Sequence, residues 1–150
     1  RFVFDGAASP MEAKLALLLS LPTHLGGCGL PRPELNRPFA LSETAQLIYP
    51  HSPCRLDLSW PGVNLDVEYD GEDAHSGNQH AADVARQAAL RVDGIDVLVI
   101  AKQQVYNVES FTRIASLIEE RLAAQPGRRR RNRVKDFPAK QQRLREELNL

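Results

Sequence analysis

Hydrophobic positions change period several times along the chain, and each change marks an element. Ser9-Pro10-Met11-Glu12 has the form of a capping box with proline at the first helical position, and the apolar run Leu15 to Leu21 follows it. This predicts a helix over 10–21. Residues 22–53 carry six prolines and the cluster Gly26-Gly27-Cys28-Gly29, so they read mostly as loop, with a short strand around 34–38 and a further element near 40–49. From Arg55 the pattern alternates, with Leu56, Leu58 and Trp60 set against Arg55, Asp57 and Ser59, which is the period of a strand. Pro61-Gly62 makes a turn, and Asn64 to Asp70 alternates again with Leu65, Val67 and Tyr69 on one face; the two runs predict a hairpin. Residues 80–93 predict a helix with Ala81, Val84, Ala88 and Leu90 as its apolar positions, ended by Gly94 as C-cap. Val97-Leu98-Val99-Ile100 is a continuous apolar run, which predicts a strand buried on both faces. Glu109 to Ala124 predicts an amphipathic helix carrying Phe111, Ile114, Leu117, Ile118 and Leu122. The order helix, strands, helix, strand, helix predicts an α/β fold, a central mixed sheet flanked by helices.

Composition narrows the class without naming a function. The chain has 150 residues, 43% hydrophobic and 25% charged, enough for one domain with a core, and excludes collagen, a disulfide scaffold and wholesale disorder. No run approaches the roughly 20 apolar residues of a membrane helix, and no signal peptide is visible. Cys28 and Cys54 match no zinc spacing and need no bridge, which fits a reducing cytoplasm. The formal charge of zero averages two unlike parts: residues 1–126 hold ten basic and sixteen acidic residues, residues 127–150 nine basic and three acidic. These are read as a domain over 1–126 and a basic, partly helical C-terminal extension over 127–150. The run Arg128, Arg129, Arg130, Arg131 and Arg133 can contact nucleic-acid phosphates or stay a solvated tail.

The second hairpin strand holds the candidate chemistry. Asp66, Glu68 and Asp70 share one face because strand side chains repeat with period two, Asp57 lies across the turn, and Glu72 and Asp73 follow. So many carboxylates repel one another unless the face is open to water or binds a cation, and Mg²⁺ takes one or two carboxylates plus substrate phosphates. By spacing alone a solvated strand face is the simpler reading. His75, in the loop after the strand, and His80, at the opening of the next helix, carry the side chain best suited to activate water near neutral pH.

The strings RLDLSWP over 55–61, LDVEYDG over 65–71 followed by His75, DVARQAAL over 83–90 and GIDVLV over 94–99, with the leading Ser-Pro-x-Glu helix, resemble the Vsr-like endonuclease domain of the PD-(D/E)XK nuclease superfamily. The resemblance runs from about Ser9 to Leu122. It implies a restriction endonuclease-like fold with the active site at the hairpin. It also implies roles: Asp57 and Glu68 as metal ligands with the Tyr69 carbonyl nearby, His75 as the base that helps activate water, and Glu12 orienting water or a second ion. Asp70 stands where the superfamily has its lysine, as Vsr-like members also lack it; Arg86, Gln87 and Lys102 are the candidates to supply the missing donor. Leu56 replaces the proline before Asp57, and the capping-box job of Glu12 competes with a catalytic one.

The reading that follows is a Mg²⁺- or Mn²⁺-dependent endonuclease-like domain hydrolysing DNA, with RNA as the other candidate substrate and the arginine run holding the phosphate backbone. The rival is a catalytically inactive nuclease-fold module that binds nucleic acid or a protein partner, as in a toxin–antitoxin pair or transcriptional regulator. Because the chain starts at Arg1, a separate recognition domain upstream is expected in the intact protein.

Overall fold

The computed structural model describes residues 6–71, 77–123 and 134–150. In chain order the elements are α1 (Pro10–Ser20), β1 (Glu34–Phe39), α2 (Glu43–Gln46), β2 (Cys54–Trp60), β3 (Leu65–Asp70), α3 (Gly77–Val92), β4 (Asp96–Ala101), α4 (Lys102–Tyr106), α5 (Val108–Ala123) and α6 (Phe137–Glu147), with 3₁₀ turns at Thr23–Leu25 and Pro61–Val63. They form two compact units, one of Glu34–Lys102 and one of Arg1–Pro33 with Gln103–Leu150. No helix among the described residues is long and apolar enough to cross a membrane.

The helical unit begins with the expected cap. Ser9 Oγ accepts the Glu12 N–H at 3.2 Å, and the Glu12 carboxylate accepts the Ala8 N–H at 2.8 Å, so two amides at the start of α1 are satisfied. Leu15, Ala16, Leu18 and Leu19 of α1, Phe111, Ala115, Ile118 and Leu122 of α5, and Phe137 and Leu144 of α6 are buried. The glycine-rich stretch after α1 folds back on it, Cys28 N–H donating to the Leu18 carbonyl and Leu30 N–H to that of Leu19. Gly26, at φ +91°, approaches α6 so closely that a Cβ would lie 2.2 Å from the Lys140 carbonyl oxygen. The helical part of the basic extension is therefore packed structure.

The second unit is an α/β layer on a four-stranded mixed sheet of order β1-β2-β3-β4. β1 and β2 pair antiparallel (Leu35 with Leu58), as do β2 and β3 (Leu58 with Val67), while β3 and β4 run parallel (Glu68 with Val99). A parallel pair needs a crossover, and α3 supplies it. α3 ends in a Schellman motif: Gly94 has φ +78°, its N–H donates to the Arg91 carbonyl, and the Ile95 N–H reaches that of Leu90. Leu90 and Ile95 then join Leu41, Ala45, Cys54, Leu56, Ala89 and Val97 in the unit's core.

Three expectations about burial change. Asp66 and Glu68 are buried, so their strand does not present a solvated acidic face; α3 covers that side of it. β4 is not buried on both faces, since Val99 is exposed. Val84 is exposed and Ala81 with it, and the core face of α3 is carried by Ala89 and Leu90 near its C-terminal end.

Candidate active site

The β2–β3 ladder ends at Leu58 and Val67, just short of Asp57 on one strand and Glu68 on the other. There the next strand amide, Tyr69 N–H, donates to Asp57 Oδ2 at 3.3 Å. This bond holds the half-buried Asp57 carboxylate beside the end of β3. Glu68 turns toward α3, where Arg86 Nη1 donates to its Oε1 at 2.6 Å and Gln87 Nε2 to its Oε2 at 3.1 Å. Arg86 Nη1 also reaches the Arg55 carbonyl at 3.4 Å.

These groups line a cavity of about 400 Å³ at the C-terminal ends of the parallel strands, the usual place for a ligand in an α/β sheet. Asp57 comes from β2, Glu68, Tyr69 and Asp70 from β3, Val99 from β4, and His80, Asp83, Val84, Arg86 and Gln87 from α3. On a helix the spacing 80, 83, 84, 87 puts four side chains on one face, and that face overhangs the strand ends.

Behind the cavity wall lies Asp66, fully buried, with neither carboxylate oxygen in a hydrogen bond. Burial pushes its pKa up to about 8, the charges of Glu68 and Asp57 add to the rise, and the Arg86 guanidinium opposes it. For Arg86, burial works against the charge, but Glu68, Asp57 and Asp83 together outweigh it and hold the guanidinium above its ordinary pKa. Burial likewise raises the pKa of Cys54. Neither Cys28 nor Cys54 is in a disulfide.

Of the residues singled out from the sequence, Asp57, Glu68, Tyr69 and Asp70 meet in this cavity, Asp70 exposed at its mouth. Of the three candidates for the missing cationic donor, Arg86 and Gln87 both hold Glu68, while Lys102 is exposed at the start of α4 and is not among the described residues lining the cavity. Glu12 belongs to the helical unit, where its carboxylate completes the α1 cap. His75 and Arg128, Arg129, Arg130, Arg131 and Arg133 lie outside the described residues. Asp83 was not anticipated, although its three-residue spacing from His80 was the available signal.

The donor types suit a hard divalent cation: the two carboxylates of Asp57 and Glu68, on adjacent strands, offer oxygen. Among the described residues no three His, Cys, Asp or Glu side chains converge as a closed metal cage, so further ligands would come from water or substrate. Fold and site together define an α/β domain with a carboxylate-lined cleft at the end of a mixed sheet. No family model, curated protein or solved structure matches the chain.

Proposed function

We propose that the chain is a restriction endonuclease-like domain, of the Vsr-like kind, that hydrolyses DNA phosphodiester bonds with Mg²⁺ or Mn²⁺. The observation that carries this reading is the meeting of Asp57 and Glu68 at one cavity, next to an imidazole and a guanidinium, at the end of a mixed sheet. In this reading Asp57 and Glu68 hold the cation, with the Tyr69 carbonyl as a neighbouring donor. A bound divalent ion neutralises phosphate charge and favours ionisation of water. His80, exposed on the cavity wall, can accept a proton from water entering there. Asp83, one turn on, can take a hydrogen bond from that imidazole and orient it. Two cysteines outside any disulfide fit a cytoplasmic setting.

Supercoiled plasmid tests the reading. The wild type should nick it with Mg²⁺ or Mn²⁺ and not with EDTA, and Asp57→Asn or Glu68→Gln should lower the rate by about 100-fold or more, the scale of losing a group that acts in the transition state. Cleavage surviving both substitutions would sink the assignment. One observation favours the rival, a non-hydrolytic binding module: both Glu68 oxygens are engaged by Arg86 and Gln87. That reading predicts a metal-independent gel shift with no cleavage under any condition.

A further inference from the structure

The Arg86–Glu68 pair is short and poorly hydrated, with the Glu68 side chain 5% exposed and that of Arg86 20%. Gln87 holds the other Glu68 oxygen, and Arg86 also feels the charges of Asp57 and Asp83, so it serves the whole acidic wall. A divalent ion placed on Glu68 would share one carboxylate with a guanidinium in a partly desolvated crevice, where like charges repel strongly. The two positive charges therefore compete for Glu68.

We propose that Arg86 is the resident counter-ion of this site, and that a divalent cation reaches Glu68 only by displacing it, so that the ion pair sets the affinity of the empty site for metal. This rests on the metal-dependent reading of the cavity above. No bond is made or broken: one cation replaces another on Glu68, and the guanidinium leaves for solvent or for a neighbouring carboxylate.

Two consequences separate this from a role in which Arg86 merely aims Glu68 at the metal. Removing the charge while keeping a hydrogen-bonding side chain should strengthen metal binding, whereas loss of an aiming contact should weaken it. In the wild type, metal should also release the guanidinium.

The experiment is Mn²⁺ binding by calorimetry on the wild type, Arg86→Gln and Glu68→Gln, each first checked for a cooperative melt. Because Arg86→Gln removes one partner of a buried pair and can fail to fold, the wild type is also followed by NMR at the Arg86 Nε–H signal during Mg²⁺ titration. The expected results are about tenfold tighter Mn²⁺ binding in Arg86→Gln, loss of binding in Glu68→Gln, and an Arg86 signal that moves and exchanges faster with water as Mg²⁺ binds. Equal or weaker Mn²⁺ binding in Arg86→Gln, or an Arg86 signal unmoved at saturating Mg²⁺, would overturn the proposal while leaving the metal site standing. No Glu68-dependent binding in any protein would overturn the metal site and the proposal together.

Discussion

Asp66 sits buried close to two other carboxylates, with neither of its oxygens in a hydrogen bond, so an ionised form is costly there. Burial raises its pKa to about 8 in the folded chain, against about 3.9 for an ordinary aspartate. The folded state therefore keeps a proton that the unfolded chain gives up between those values. Stability attached to this group is complete below about pH 4, falls as pH rises toward 8, and is flat above. Asp66→Asn should remove that fall and raise the melting temperature at pH 9 by several degrees, a gain on the order of a few kcal/mol. Parallel melting curves for wild type and variant across pH 4–9 would contradict it. Arg145 poses a related question in the helical unit. It is fully buried over the Phe111 ring, 4.9 Å from the centroid, and gives one hydrogen bond to the Val105 carbonyl at 2.8 Å while Nε and Nη2 have none. Burial lowers its pKa. Replacing a buried, poorly compensated charge by an apolar side chain of similar length is often neutral or stabilising, so Arg145→Met should change stability by less than about 1 kcal/mol or raise it. A loss above about 3 kcal/mol in denaturant melts would show that the guanidinium is structurally required.

Two glycines show how differently one residue type can act within an element boundary. Gly94 ends α3 at φ +78° with nothing within 4 Å of a built Cβ, so Gly94→Ala carries only the left-handed backbone strain, about 1 kcal/mol. Gly26 has φ +91° and backbone of α6 in the way, so Gly26→Ala should cost clearly more in the same urea melts. Equal losses would mean that α6 yields easily. Helix and strand positions were largely legible from the sequence, because period, caps and turn residues agree locally. The hairpin runs Cys54–Trp60 and Leu65–Asp70 against expected runs of 55–60 and 64–70, and α1, with its Ser9 cap, ends one residue early. What covers each face was not legible. Alternation places Asp66 and Glu68 on one side of β3, but only the crossover of α3 decides that this side is dry. The same overhang exposes Val84 and Val99 to the cavity, where an apolar pattern suggested core. Within the site, the strand carboxylates could be found from spacing, while the choice of Arg86 and Gln87 over Lys102 required knowing where α3 crosses.

Across the molecule, the zero formal charge hides an acidic body that would repel DNA and a basic segment that would attract it. Because α6 buries Phe137, Gln141, Leu144 and Arg145, deleting residues 127–150 would remove core as well as charge. Replacing Arg128, Arg129, Arg130, Arg131 and Arg133 by glutamine is the cleaner change. If this run holds phosphates, the slope of log affinity for duplex DNA against log salt should become shallower by up to about 4 to 5, and an unchanged slope would place the contacts elsewhere. A crystal structure grown with Mn²⁺ and read by anomalous scattering would show directly whether the cleft holds a metal. A peak is expected within roughly 2.0–2.3 Å of carboxylate oxygens of both Asp57 and Glu68, with Arg86 withdrawn from Glu68. A Glu68 still held by Arg86 and Gln87 at saturating Mn²⁺, with no peak between the two carboxylates, would contradict it.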